Sequence, residues 1–274
     1  MQKVPLVEVG PTKVVVFPHI SSPHACSTRL GGVSEQHLNS LNTGFTVGDD
    51  ASNVWHNRSI FSRHLGVDNL PWLLSMDHGK QVVVVEKAAP LPADLTVRPS
   101  TYYQADGCIT NVPGVPLSLT VADCVPVFFE DPVKKAVGVT HAGWRGTVAG
   151  IVTETVKALQ EHYGSSPEDI RVGIGPSIGP SAFEVGPEVV SEFQRAFPEN
   201  PEVVQTHPQE EARSEGKAYI DLWTANRLMA RRGGVPDGNI VTSGWCTVSH
   251  PDLFFSHRRD KGRSGRLLAG IILQ

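Results

Sequence analysis

The chain has 274 residues, 40% of them hydrophobic and 19% charged, a composition that suits a folded protein with a sizeable core. Twenty-four basic residues stand against twenty-eight acidic ones, and the resulting net charge of −4 offers no general attraction to nucleic acid or to an anionic membrane. No apolar stretch approaches the ~20 residues of a membrane span, and residues 1–9 lack the apolar centre of a signal peptide, so a cytoplasmic protein without membrane contact is expected.

In chain order, residues 13–17 and 24–29 read as β-strands and 52–65 as a helix. Further strand-like runs lie at 81–86, 117–120, 125–130 and 136–140. After Gly146-Thr147, Val148, Ile151, Val152, Val156 and Leu159 recur at helical spacing and stop near Gly164, which predicts one helix. A strand at 170–174 precedes a helix that Asp221 caps, with Leu222, Ala225, Leu228 and Met229 on one side and Arg231-Arg-Gly-Gly234 closing it. A strand at 240–243 follows. Strands outnumber helices, so the expected fold is α+β, a layered arrangement with mixed β-sheets and outer helices. Without repeats, low-complexity tracts or linkers, one domain over 1–274 is expected.

The runs 125–130 and 136–140 are joined by Asp131-Pro-Val-Lys-Lys135, too short for a parallel crossover, so they must form an antiparallel hairpin. A turn centred on Pro132-Val133 places Cys124 directly opposite His141 at the open end. There a thiolate and an imidazole can share a proton or a metal ion. A third candidate ligand, His78, precedes the strand at 81–86, although spacing alone does not bring it to the hairpin. Two histidines and a cysteine suit zinc and leave its fourth position to a reactant. The four cysteines are dispersed with no CxxC, so Cys26, Cys108 and Cys246 read as buried apolar fillers.

Asp123, next to the thiol, either caps a turn or holds the backbone or a ligand histidine from behind. The segment His141-Ala-Gly-Trp-Arg-Gly146 leads from strand into helix, where small residues allow close approach and Arg145 offers a cationic fork for phosphate or carboxylate. It reads equally as a tight strand–helix corner. The C-terminal run from Phe254 to Arg266 is the strongest basic cluster, either a surface loop or a clamp for phosphate. Arg29 and Asn42 sit in Gly-rich turns, and no P-loop or dinucleotide-binding fingerprint is present.

Together with Thr28-Arg-Leu-Gly-Gly-Val-Ser34, Leu41-Asn-Thr-Gly44, Asn57-Arg58, Ala105-Asp-Gly107, Ile174-Gly-Pro176 and Asp221-Leu-Trp-Thr-Ala-Asn226, these segments resemble the YfiH-type laccase-domain family over nearly the whole length. That family is also known for polyphenol oxidase, purine nucleoside phosphorylase and peptidoglycan-editing members. The resemblance implies a fold grouped with putative cysteine hydrolases and a metal site at His78, Cys124 and His141 holding zinc, with copper as the second candidate. It implies phosphorolysis of adenosine, inosine and methylthioadenosine, with adenosine deaminase activity beside it. Cys124, His141, Asp123 and Arg145 would then be catalytic, and Arg29, Asn42, Arg58, Arg258 and Arg266 would bind nucleoside and phosphate. No nucleic acid, membrane or obligate protein partner is indicated.

Two segments depart from the family pattern: Met76-Asp77 stands where Gln-Val is usual, and Ser177-Ile-Gly-Pro-Ser-Ala-Phe183 replaces a cysteine-rich run. Two other enzyme classes compete, a hydrolase of a peptidoglycan precursor using Cys124 with His141 or a metal, and a copper-linked polyphenol oxidase. A true multicopper laccase is the weakest enzyme reading, because none of the eleven histidines forms a His-X-His pair. The non-enzymatic alternative is a binding module stabilised by its metal.

Overall fold

The computed structural model describes residues 3–71 and 73–274. Its first half carries strands β1 (Leu6–Val9), β2 (Thr12–Val15) and β3 (His24–Ser27), helix α1 (Ala51–Ser62), then β4 (Leu74–Ser75), β5 (Val82–Val84), β6 (Tyr103–Gln104), β7 (Gly107–Thr110) and β8 (Pro116–Val121). The hairpin β9 (Val125–Asp131) and β10 (Ala136–Ala142) follows, then helices α2 (Trp144–Ala149) and α3 (Ile151–Tyr163). The rest comprises β11 (Arg171–Ile174), β12 (Glu184–Val185), α4 (Pro187–Ala196), β13 (Val204–Thr206), α5 (Glu210–Ser214), β14 (Ala218–Ile220), α6 (Leu222–Arg232), β15 (Ile240–Thr242) and β16 (Leu267–Ile272).

Two large sheets build the core. One is antiparallel throughout, in the order β1-β2-β3-β16-β8; the other is mixed, in the order β15-β11-β9-β10-β7-β5. Side chains alternate across a strand, and here both faces are covered. Phe128, Val137 and Val139 of the mixed sheet meet Leu117, Leu119, Leu267 and Ile271 of the antiparallel one. Val125, Val127 and Phe129 point the other way, onto α3, α4 and α6. The far face of the antiparallel sheet, with Val14, Ala25, Leu268 and Ile272, is closed by Phe61 of α1 and by Leu65. Helix, sheet, sheet, helix is the resulting order of layers. It is the α+β arrangement with mixed sheets and outer helices. No helix among the described residues is long and apolar enough to cross a membrane.

The hairpin is antiparallel as its short connection requires, but its register differs by two residues. Asp131 faces Ala136 and His141 faces Pro126, so the turn centres on Val133-Lys134. Asp131 sets this turn: its Oδ1 accepts the N–H groups of Val133 (2.8 Å) and Lys134 (2.9 Å). A shift of two preserves the face of every side chain, so Cys124 and His141 still share the face turned toward the antiparallel sheet. Gly143, in place of His141, takes the position across from the thiol.

The predicted helix after Thr147 is two helices. Gly150 adopts φ +87 and its N–H bonds back to the carbonyls of Gly146 and Thr147, which ends α2 and starts α3. The predicted N-cap Asp221 does cap α6, accepting from the Thr224 N–H at 3.0 Å.

Candidate metal centre

β8 belongs to the antiparallel sheet and β9 to the mixed one, and the chain crosses between them through Ala122, Asp123 and Cys124. The thiol therefore sits at the seam of the two sheets, just ahead of β9. His141 is the penultimate residue of β10 and buried, while His78 reaches in from the loop between β4 and β5 with φ +65. The ligand atoms of His78, Cys124 and His141 all lie within 4.8 Å of one another. A Cβ on Gly143 would stand 2.8 Å from His78 Cδ2 and 3.2 Å from Cys124 Sγ, so the missing side chain is what lets the three groups converge.

Asp106, fully buried just before β7, ties the two histidines together. One carboxylate oxygen accepts from His141 Nδ1 at 2.8 Å and from the His78 backbone N–H at 3.0 Å. The other accepts the N–H groups of Gly79 (2.8 Å) and Asp77 (3.3 Å), and the Asp106 carbonyl accepts the His141 N–H at 2.7 Å. Burial opposes its charge, yet the His141 ring and these N–H groups hold the carboxyl well below the usual range. With Nδ1 engaged, His141 has Nε2 left for the centre. The sequence signal for Asp106 was a carboxylate between Ala105 and Gly107 ahead of an apolar strand, and spacing did not link it to either histidine.

Burial works against the Cys124 thiolate, but the His141 charge and hydrogen bonds from both histidines outweigh it and bring the thiol down to about 6. Burial likewise works against the His141 imidazolium, and the Cys124 and Asp106 charges raise it to about 10. The pair thus favours a thiolate facing a protonated ring, the charge balance a divalent cation would replace. The donor set fits such an ion, because tetrahedral zinc needs ligand atoms roughly 3.3–3.8 Å apart and soft sulfur with imidazole suits zinc or copper. An adjustment on the order of an ångström closes the separation observed here.

Asp123 does not orient a histidine. At φ +83 its carboxylate turns away from the centre and accepts from Thr247 Oγ1 (2.5 Å), Ser256 Oγ (3.0 Å) and the Arg258 N–H (2.6 Å). It pins the loop that carries His257 and Arg258.

The three candidate ligands face a cavity of about 430 Å³ whose other lining residues include Arg98, Arg266, Thr120 and His257. Arg266 is the one predicted cationic clamp that lines it, and Arg258 borders a smaller adjoining cavity of about 140 Å³. Arg58 is no clamp: it is buried, with its guanidinium on the carbonyls of Leu70, Thr43 and Pro71. Arg29 bonds the carbonyls of Asn39 and Pro251 and borders neither cavity, while Arg145 is exposed and stacks on Trp144 at 4.3 Å. Asn42 is buried behind the cavity, where its Oδ1 accepts the Arg266 N–H at 2.9 Å. Sequence reasoning passed over Arg98 and weighed His257 only as part of the run from Phe254 to Arg266; both come to the cavity from loops with no regular pattern.

Residues 23–274 match the family described as multi-copper polyphenol oxidoreductase laccase. A protein of Bacteroides thetaiotaomicron named purine nucleoside phosphorylase is 38% identical over 253 residues, 91% of each chain. A prokaryotic protein named adenosine deaminase RL5 is 34% identical over 254 residues, 92% of this chain and 94% of its own. The crystal structure of YfiH from Bacillus licheniformis superposes with a TM-score of 0.86 at 32% identity, covering 98% of this chain and 99% of that one.

Proposed function

The chain belongs to the YfiH-type laccase-domain family, and on that premise we propose that it is a zinc-dependent purine nucleoside phosphorylase acting on adenosine, inosine and methylthioadenosine. The observation that carries this reading is the convergence of His78, Cys124 and His141 on a cavity that Arg266 also lines. In phosphorolysis a phosphate oxygen bonds to the ribose C1′ as the bond from C1′ to the base nitrogen breaks. The electron pair leaves with the base, which takes up a proton.

His78, Cys124 and His141 would hold the metal, which when bound supplies a Lewis acid with one position open to a reactant. Asp106 keeps both histidines oriented and stabilises positive charge on His141. Arg266, fixed from behind by Asn42 and with Nη1 on the carbonyls of Ser264 and Gly265, offers a preorganised cation to phosphate. Adenosine deamination at the same centre is the finer part of the proposal, supported by the relative of that name. Purified protein of measured metal content, incubated with inosine and phosphate, is expected to release hypoxanthine and ribose 1-phosphate. With adenosine, adenine marks phosphorolysis and inosine marks deamination. No base released by fully zinc-loaded protein defeats the phosphorylase reading.

One arrangement favours a second reading. Cys124, His141 and Asp106 also stand in the order nucleophile, base and orienting carboxylate, as in a thiol hydrolase. One sulfur cannot be both a metal ligand and a free nucleophile. Alkylation of the protein as isolated separates the two: a zinc-held thiolate resists iodoacetamide until a chelator is added. A free one reacts at once, at a rate that falls as pH drops below about 6, where the thiolate takes up its proton.

A further inference from the structure

Residues 28–34, residues 41–44 and the pair Asn57-Arg58 line neither cavity, yet all three segments converge on Arg266. Asn42 and Thr43 grip both of its backbone groups. Asn42 Oδ1 accepts the Arg266 N–H at 2.9 Å, and the Arg266 carbonyl accepts from the Thr43 N–H at 3.1 Å and the Thr43 hydroxyl at 2.8 Å. Gly44 leaves room for the side chain: a Cβ there would stand 2.5 Å from Arg266 Cγ. Behind this seat, consecutive residues of α1 hold the two grips in turn. Asn57 Nδ2 donates to the Asn42 carbonyl at 2.7 Å, and Arg58 Nη1 donates to the Thr43 carbonyl at 3.1 Å. Asn57 also donates to Ser34 Oγ (2.8 Å), and that hydroxyl donates to Asp49 Oδ2 (2.6 Å). The same Asp49 oxygen accepts from Asn42 Nδ2 at 2.7 Å, which closes a circuit of hydrogen bonds around Asn42. Gly32 admits Asn57 to this circuit, since a Cβ there would meet Asn57 Oδ1 at 2.5 Å.

We propose that Asn57 and Arg58, acting through Asn42, Thr43 and Gly44, are positioning residues that fix where the Arg266 guanidinium stands and thereby set its affinity for phosphate. The inference rests on the phosphorylase reading, in which Arg266 receives phosphate, and adds what aims that group. Closing the antiparallel sheet asks only for apolar residues such as Phe61, one turn further along α1. Asn57 and Arg58 are instead fully buried polar groups, which are costly to remove from water unless their donors are engaged. Arg58 has no carboxylate partner among the described residues, and its fork lies on the carbonyls of Thr43, Leu70 and Pro71. What these two side chains hold is the loop that grips Arg266. Such a grip matters because a displacement of about 1 Å at a positioned group can cost 10²-fold, and a free arginine side chain has many rotamers to lose. Arg266 lies directly ahead of β16, so the sheet ties its backbone on one side and α1 ties it on the other.

The test asks whether these residues act through Arg266, with calorimetry of inorganic phosphate on zinc-loaded protein as the readout. Gly44→Ala is expected to weaken phosphate binding about tenfold or more, because the Arg266 stem must swing aside. Thr43→Val should weaken it about three- to tenfold, and Thr43→Ser should restore it. Arg58→Lys, which keeps the charge and loses the fork, should act in the same direction. In turnover the losses should fall on KM for phosphate, with kcat at saturating phosphate and zinc affinity unchanged. In an Arg266→Gln background none of these substitutions should weaken phosphate further, as expected of residues that share one chain of contacts. The near-isosteric Thr43 pair carries the test if Arg58→Lys does not fold. Losses that persist undiminished in the Arg266→Gln background overturn the proposal. So does phosphate affinity unchanged by Thr43→Val and Gly44→Ala, or by Arg266→Gln itself. If wild-type protein shows this coupling but cleaves no nucleoside, the phosphorylase reading falls and the seat of Arg266 stands.

Discussion

Asp106 shows how much of this centre is carried by a group that lines neither cavity. Its carboxylate meets four donors, one imidazole N–H and three backbone N–H groups, and two of the four belong to the candidate ligands His141 and His78. Asp106→Asn keeps the shape but turns one acceptor oxygen into an NH2 group that must face donors. Leaving buried N–H groups unpaired costs about 1–3 kcal/mol, and freeing the two histidines should lower zinc affinity about 10–100-fold. Competition titration against a chelator measures the second effect and thermal unfolding the first. Asp123→Asn is the control: among the described residues its carboxylate accepts from Thr247, Ser256 and Arg258 and from neither histidine, so zinc affinity should survive there. Equal affinity in Asp106→Asn and wild type would remove Asp106 from the centre.

Between elements, the two glycines that bound α2 do opposite work. Gly143 has φ −67, which any residue adopts; crowding by His78 and Cys124 is what excludes a side chain. Gly150 has φ +87 and open space where a Cβ would stand, with no atom within 4 Å; only its left-handed backbone selects glycine. Gly150→Ala should therefore cost about 1–2 kcal/mol, a few degrees in Tm, with zinc binding intact. Gly143→Ala should change the melting of chelated protein little and weaken zinc binding at least tenfold, because His78 must move away. Zinc titration and melting of both variants check the contrast. The break between α2 and α3 shows what the sequence could reveal. The periodic positions from Val148 to Leu159 announced a helix, but an isolated glycine inside such a pattern is tolerated often enough that the break at Gly150 was not legible. Nor was the two-residue register shift, since it depends on the side chain of Asp131 accepting from Val133 and Lys134.

For the whole molecule, the sequence revealed the thiol and the imidazole but not the geometry that joins them to the rest. Cys124 and His141 are local partners through a short hairpin, and local pairing is what spacing encodes. His78, Asp106 and the cavity wall are brought in by long-range sheet order. For His78 and Asp106 that order is β10-β7-β5 in the mixed sheet, and for Arg266 it is the pairing of β16, the run Leu267–Ile272, which joins both β3 and β8 yet lacks alternation because both its faces are buried. Another long-range tie is legible only in the fold. Glu130 of β9 is buried and reaches the loop ahead of β3, accepting from the Ser21 N–H (2.9 Å), the Ser22 N–H (2.6 Å) and the Ser21 hydroxyl (2.9 Å), with Arg171 at 3.3 Å. It links the mixed sheet to the segment that feeds the antiparallel one. Burial opposes its charge, but those donors prevail and hold its carboxyl below the ordinary 4.5. A depressed carboxyl contributes stability that is complete above the unfolded value and lost as pH falls through the folded one. Glu130→Gln should thus lower Tm at pH 7, since an amide meets the same donors with a single acceptor oxygen. The gap from wild type should narrow steadily below about pH 4.5, as Glu130 in the wild type takes up its own proton. Melting curves of both proteins from pH 7 to pH 3 test this, and a gap that stays constant over that range would show that the charge of Glu130 does not hold the two sheets together.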